Sequence, residues 1–401
     1  MLALETAQER ILATIQPLGG ETIPLDQALG RFAAARIVAP RDLPGFDNSA
    51  MDGYAVRSAD VAPAQPDRPV TLRLLGRVAA GEMFTGELAG GTCIRLFTGS
   101  AVPRGADAVV MQEDTRVDPT RPETVQMLEP VKPWENIRFH GEDFKQSAVV
   151  VNAGERFGVG RVALLAALGL REVCAGRQPV VGLLATGSEL REAGQPLAPG
   201  QIYESNRAAL AALVSQSGAV PKLFPLVPDT ADGTRTALTD AFATCDVVVT
   251  SGGVSVGELD FVKSAFRDLG GELEFWQVAI KPGKPFAFGR WQGKCLFGLP
   301  GNPVSALVTF WMLARPALLR LQGAAEAAWP SHPGVLAETL VNRSERRHFV
   351  RVSLDASGQV HSSGAQASHI LSALAAANGL VDVPPQATLA AGSTVPVLRW
   401  D

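Results

Sequence analysis

Residues 246–263 read Asp-Val-Val-Val-Thr-Ser-Gly-Gly-Val-Ser-Val-Gly-Glu-Leu-Asp-Phe-Val-Lys, a β-branched run, then a glycine loop, then Asp260 and Lys263. Glycines let a backbone turn tightly and aim its N–H groups at one point, and a following helix adds the positive end of its dipole. The pattern therefore suits an oxyanion, with Gly252, Gly253, Ser255 and Gly257 as candidate contacts. Asp260 and Lys263, three residues apart, would share one helical face beside it. A glycine-rich turn joining a strand to a helix explains the same residues equally well, so the loop alone decides nothing.

Two further loops follow predicted strands and carry the same chemistry. Thr186-Gly187-Ser188-Glu189 is one, and Gly298-Leu299-Pro300-Gly301-Asn302-Pro303-Val304-Ser305 is the other. In the second, proline at the helix start loses no hydrogen bond, and the neighbouring amides of Gly301 and Asn302, turned by Pro300, stay free for an anion together with Ser305. Lys281-Pro282-Gly283-Lys284-Pro285 sets two ammonium groups on a stiff, helix-incompatible segment. Asp229 and Glu189 bring carboxylates to the same strand ends, and carboxylates beside phosphate-binding amides are the usual means of holding Mg²⁺ against a polyphosphate. Solvated basic turns and surface ion pairs are the plainer account of each taken singly.

The elements that must position these groups alternate strand and helix from Pro179 onward: Val180 to Ala185, Arg207 to Gln216, Lys222 to Val227, Thr234 to Ala243, Asp246 to Thr250, Asp260 to Asp268, then Cys295 to Phe297 feeding an apolar helix from Pro303 to Leu321. Alternation of this kind predicts a parallel α/β sheet whose ligands lie beyond the carboxyl ends of its strands. The first forty residues read as a helix, a turn at Gly19-Gly20 and a second helix over Leu25 to Leu29. Residues 42–140 change to short β-rich segments cut by Gly and Pro, and Val159 to Leu170 returns to helical spacing. AAEAAWPSHPG after Gly323 reads as a linker, and 336–400 as a small β-rich domain in which Arg343, Arg346, Arg347 and Arg351 lie close to His348, and Ser368 either caps a short helix or helps arginines bind an oxyanion.

Length and composition bound the function. A chain of 401 residues holds roughly two to four domains, and 46% hydrophobic with 19% charged residues is a folded composition. A net charge of −4 lacks the basic footprint of a nucleic-acid binder, so an anionic ligand must be held by local charge. Cys93, Cys174, Cys245 and Cys295 are too scattered for a zinc site or disulfide framework. No signal peptide opens the chain and no uninterrupted apolar run spans a membrane, so a cytoplasmic location is expected.

Taken in order, PGFDNSAMDGYAVR, RLFTGSAVPRGADAVVMQED, TGSEL, SGGVSVGELDFVK, IKPGKPFAFG, GLPGNPVSA and GAQASH resemble the molybdopterin molybdenumtransferases, the molybdate-insertion enzymes of molybdenum cofactor synthesis, also found as the E domain of gephyrin. The resemblance implies four domains: a discontinuous linker over 1–41 and 141–177, an inserted β-rich domain over 42–140, an α/β molybdopterin-binding domain of three layers over 178–324, and a C-terminal β-barrel over 325–401. It implies a homodimer, and a reaction in which adenylated molybdopterin and molybdate yield molybdenum cofactor and AMP with Mg²⁺. Molybdopterin adenylyltransferase and cofactor-receiving molybdoenzymes would be its partners. The metal-binding sulfurs belong to the substrate, which is why scattered cysteines are no obstacle.

Carried over position by position, the resemblance marks Asp52, Thr98, Glu189, Asp229, Asp260, Lys281, Lys284, Arg351 and Ser368. It implies metal or nucleotide handling for Asp229 and Asp260 with Glu189 beside them, molybdate and phosphate binding for Lys281, Lys284, Arg351 and Ser368, and action across the dimer for Asp52 and Thr98. Ser188 departs from the family's common Asp and removes one negative charge from its loop. Alternative readings are a molybdopterin adenylyltransferase, from the α/β unit alone, and a non-catalytic gephyrin-like scaffold, which would have no need of Asp52, Asp260, Lys281 and Lys284.

Overall fold

A computed structural model describes residues 1–253 and 261–400. The chain forms two compact units, one of residues 1–35, 153–158 and 172–401, the other of residues 36–152 and 159–171.

The first unit is built on a six-stranded sheet in the order Val220–Leu223, Val180–Ala185, Val247–Ser251, Lys294–Leu299, Pro285–Trp291, Glu272–Gln277. Its first four strands are parallel, as the alternation predicts. The last two run antiparallel, because Pro285–Trp291 and Lys294–Leu299 are joined by a tight turn at Gln292-Gly293 rather than by a helix. Val247–Ser251 is buried along its whole length, which is where an unbroken β-branched run belongs. The strand expected over Lys222–Val227 is instead Val220–Leu223, since Pro225 and Pro228 have no N–H for a ladder.

The apolar helix Pro303–Leu321 opens as an α-helix with proline in its first turn, passes through a π-helical turn at Phe310–Ala314, and resumes α-helix at Arg315–Leu321. At 19 residues and a mean hydropathy of 1.4 it is long and apolar enough to cross a membrane, yet 83% of the window is buried inside the protein. Hydrophobic on all sides, it is a core helix packed with Val247, Val249, Phe286 and Phe297.

The C-terminal part closes a five-stranded barrel. Arg347–Leu354 pairs with Gln359–Ser362, that strand with Ser331–Leu336, that with Thr394–Arg399, that with Gly379–Val383, and the last returns to Arg347–Leu354. Val350, Val352, Val360, Val381, Val395 and Val397 fill the interior. The short strand Ile280–Lys281 pairs with Arg347 and His348 and joins the barrel to the α/β sheet. The segment expected to be a linker already contains the start of Ser331–Leu336, and its Trp329 packs against Trp311 with ring centroids 5.4 Å apart. Near the N-terminus, Gly20–Pro24 is a strand paired with Glu172–Gly176, and the expected second helix is one 3-10 turn, Leu25–Gln27. Pairing partners 150 residues away leave no local trace in the sequence.

In the second unit a six-stranded sheet runs Ala108–Met111, Gly53–Val56, Thr92–Leu96, Val70–Val78, Thr124–Met127, Thr115–Val117. All neighbours are antiparallel except Thr92–Leu96 and Val70–Val78. Gly53 starts its strand opposite Met111, and the Val110 carbonyl oxygen would lie 2.1 Å from an added Cβ. Only glycine fits there.

Candidate functional site

Register brings the three loops together. Ala185 pairs with Ser251, and Ser251 with Leu299, so three parallel strands end in one row and release their loops side by side. Thr186 N–H donates to Ser251 O and Gly252 N–H to Leu299 O, each at 3.1 Å, extending the ladder one residue past the strands. Gly252 then turns at φ +91°, and a Cβ there would meet Thr186 O at 2.8 Å. The turn therefore demands glycine twice over, in backbone conformation and in space.

Asp229 and Ser188 hold each other across neighbouring loops. Ser188 N–H donates to Asp229 Oδ2 at 2.9 Å, and Asp229 N–H reaches back to Ser188 Oγ at 3.4 Å. The hydroxyl at 188 thus accepts a backbone hydrogen bond. Glu189 is exposed, and its carbonyl accepts Ile202 N–H at 3.0 Å, which begins a small ribbon of Leu190–Arg191 and Ile202–Tyr203. Buried Arg207 anchors that ribbon through Glu192 at 2.7 Å and Glu204 at 2.9 Å.

Lys281 lies on the short strand beside the barrel, half-buried, whereas Lys284 is exposed. Between them Gly283 turns at φ +111° with Thr309 Cγ2 only 2.5 Å from where a Cβ would sit, so the lysine segment is pressed against the apolar helix. Opposite Lys281 stands His348, 6% exposed, with neither ring nitrogen hydrogen-bonded among the described residues. Burial, then the charges of Lys281, Arg351 and Arg346, push its pKa down to about 4, so the imidazole is neutral at pH 7.

The barrel contributes a second polar edge. Ser368 Oγ accepts from Asn302 Nδ2 at 3.1 Å, and Ser368 O from Val304 N–H at 3.2 Å, so the barrel loop is bonded to the Pro300–Ser305 loop. Arg351, expected to bind an oxyanion, is 1% exposed. Its guanidinium donates to Ala367 O at 3.1 Å and Ala365 O at 2.8 Å, so it shapes the loop that carries Ser368 from beneath. Burial lowers its pKa, yet arginine keeps its charge at any ordinary pH. Ser305, expected to face a ligand, is 4% exposed inside the first helical turn, because the helix begins two residues before it.

Asp52 and Thr98 belong to the second unit and form a pair of their own. Asp52 Oδ1 accepts Thr98 N–H at 2.7 Å and Thr98 Oγ1 at 2.9 Å. The backbone bond, then the hydroxyl, hold the exposed carboxyl below its ordinary value, with Arg95 adding charge. Arg95 in turn lies over the Tyr54 and Phe97 rings, 4.9 and 5.4 Å from their centroids.

Of the predicted residues, Glu189, Asp229, Gly252, Gly253, Pro300, Gly301 and Asn302 fall on the strand-end loops, and Ser368 is bonded to them. Ser255, Gly257 and Asp260 lie outside the described residues. No group of three or more His, Cys, Asp or Glu gathers as a metal cage among the described residues. That donor set still fits Mg²⁺, which is commonly held by one or two carboxylates together with substrate phosphates. Sequence reasoning missed Asn206, which links Ser251 and Gly301, and noted His348 only as a neighbour of the arginines. The signal for Asn206 was Ser205-Asn206 at a helix start, which reads by default as an N-cap.

Comparison with known proteins matches the chain along most of its length. Residues 2–169 match the MoeA N-terminal region (domain I and II), residues 182–320 a probable molybdopterin binding domain, and residues 333–400 the MoeA C-terminal region (domain IV). A molybdopterin molybdenumtransferase of Haemophilus influenzae is 39% identical over 404 residues, covering 99% of this chain and 98% of the relative. Molybdopterin molybdenumtransferase 2 of Mycobacterium tuberculosis is 41% identical over 390 residues, covering 95% and 94%. The crystal structure of the molybdopterin biosynthesis moeA protein of Pyrococcus horikoshii OT3 superposes with a TM-score of 0.86 at 30% identity, covering 100% of both chains.

Proposed function

The chain belongs to the molybdopterin molybdenumtransferase family, and from that premise we propose that it inserts molybdate into adenylated molybdopterin and releases AMP. Insertion of molybdenum into molybdopterin, in molybdenum cofactor biosynthesis, is the activity; the adenylated substrate and AMP are our extension of it. The observation that carries the reading is the row of three strand-end loops at Ala185, Ser251 and Leu299, with Ser368 bonded to the third. Backbone N–H groups at such an edge suit a pyrophosphate, and the substrate's own sulfurs supply the ligands for molybdenum.

Lys281 and Lys284 would bring positive charge to molybdate and phosphate oxygens, and Arg351 would keep the Ser368 loop in shape. Asp229 and Glu189, with Asp260, are the carboxylates that would hold Mg²⁺; its charge would offset that of the pyrophosphate when bound. We further propose a cytoplasmic homodimer in which Asp52 and Thr98 complete the partner's cleft, and the four-domain division at 41, 140, 177 and 324.

The test supplies purified protein with adenylated molybdopterin, molybdate and Mg²⁺ and follows AMP release together with active cofactor. Both should appear, and both should need molybdate. Pyrophosphate released from ATP as unadenylated molybdopterin becomes adenylated, with no AMP from the adenylated substrate, would make the chain an adenylyltransferase. Neither product, from folded protein, would leave a scaffold.

A further inference from the structure

We propose that Asn206 is a positioning residue for the substrate-phosphate loops, its side-chain amide holding the end of strand Val247–Ser251 against the Pro300–Asn302 turn. The inference rests on reading those loops as the pyrophosphate edge. Asn206 is the first residue of helix Asn206–Gln216 and is 8% exposed. Its Nδ2 donates to Ser251 Oγ at 2.6 Å and to Gly301 O at 2.8 Å. A carbonyl oxygen can only accept, so the Gly301 contact fixes which end of the amide is nitrogen. Ser251 Oγ, having accepted that bond, points its own proton toward Pro300 O at 3.5 Å.

Beyond the strand ladder, which ends with Gly252 N–H donating to Leu299 O, and the Ser251 hydroxyl, little joins the two loops among the described residues. A Cβ on Gly301 would meet only Gly252 Cα, at 3.8 Å, so backbone faces backbone with no intervening side chain. The next residue, Asn302, carries the bond to Ser368. One line of hydrogen bonds thus runs from Ser251 through Asn206 and the Gly301–Asn302 turn to the barrel loop, and Asn206 is its centre.

The other half of the amide argues that this placement does not serve stability. Among the described residues, Asn206 Oδ1 is buried without a donor, and Thr250 Oγ1 and the neighbouring Thr186 Oγ1 are buried without a partner. An unpaired buried acceptor is unfavourable, and an apolar side chain of the same size would avoid it. Retaining asparagine makes sense when the loops' spacing matters more than the fold's free energy.

Two variants test this. Asn206→Leu keeps the volume, removes the orphaned acceptor and removes both donors. Its melting temperature should stay close to the wild type while kcat/KM for cofactor formation falls about 100-fold, the loss expected when reacting groups are misplaced by about 1 Å. Asn206→Asp keeps the shape but, ionised, turns an oxygen toward Gly301 O. Its turnover relative to wild type should rise as pH falls and the carboxyl regains a proton to donate. Asn206→Leu with wild-type turnover, or with turnover lost only in step with stability, overturns the assignment. Should that variant fail to fold, a pH-independent ratio for Asn206→Asp overturns it alone. A wild-type protein inactive on adenylated molybdopterin would instead sink the functional reading, before either variant is measured.

Discussion

The strand-end row of the α/β sheet and the barrel strand Arg347–Leu354 offer polar groups to the same region by opposite means. The sheet does it with backbone: parallel register lines up Ala185, Ser251 and Leu299, and glycines turn the chain just beyond them. The barrel does it with buried side chains, Arg351 under one loop and His348 beside Lys281. A site made of register tolerates many side chains but few backbone changes. A site made of buried polar side chains is sensitive to every atom of two residues. The comparison therefore predicts where substitution costs most, and of what kind.

Arg351→Ala should have the largest effect. It removes the donors of Ala365 O and Ala367 O and leaves a cavity where a wholly buried side chain stood, a combination worth about 3 kcal/mol or more. Chemical denaturation should register that loss, and the Ser368 loop should become the fastest-exchanging part of the barrel by hydrogen exchange. Unchanged stability would mean that the guanidinium is not what supports the loop.

His348 gives the barrel a pH signature. Its folded pKa of about 4 lies below the ordinary 6.5, so the unfolded chain takes up a proton first as pH falls. Stability from this group is complete above about pH 6.5, declines as pH drops toward 4, and is level below that. The full contribution is at most about 3 kcal/mol, at about 1.4 kcal/mol per unit. His348→Leu, which cannot titrate, should flatten the difference between melting curves at pH 7 and pH 4.5. Parallel pH dependence in variant and wild type would assign the acid sensitivity to other groups.

On the sheet side Gly252→Ala is the corresponding break. Positive φ alone costs about 1–2 kcal/mol for a residue with a Cβ, and Thr186 O stands in the way of that atom. Stability should drop by about that amount and cofactor formation by more than stability explains, with the barrel's exchange unaltered. A variant losing both in proportion would show that the turn is structural only.

The same contrast explains what could be read from sequence. The α/β unit was legible because periodicity is local: Val247 to Val249 announces a covered strand, Gly252-Gly253 its exit, and Pro303 a helix start. The loops' adjacency followed from topology rules. Long-range facts did not follow: Gly20–Pro24 is a strand only because Glu172–Gly176 pairs with it, and the sheet's antiparallel edge depends on a turn at Gln292-Gly293. Arg351 was legible as a candidate through resemblance, but its inward orientation was not, because arginine near serine reads the same whether it meets a ligand or its own backbone. Asn206 was hidden by a competing local explanation, capping, that its side chain does not perform.

Asp52 and Thr98 supply the smallest effect and the sharpest control on the comparison. Like Arg351, this pair makes two short hydrogen bonds, but it sits in solvent. If hydrogen-bond number set the cost, Thr98→Ala would resemble Arg351→Ala. If burial sets it, as we argue, water replaces the lost hydroxyl and the melting temperature does not move measurably. The visible change should be in titration: with the hydroxyl gone and the Thr98 N–H retained, the Asp52 carboxyl rises part of the way toward its ordinary 3.8 and no further, because the backbone bond is the larger cause. Carbon-detected NMR of the carboxyl resonances across pH 2–6 reads that shift directly. A midpoint that stays put would mean the hydroxyl bond contributes nothing, and a large fall in stability would mean that exposure does not protect a site built from side chains.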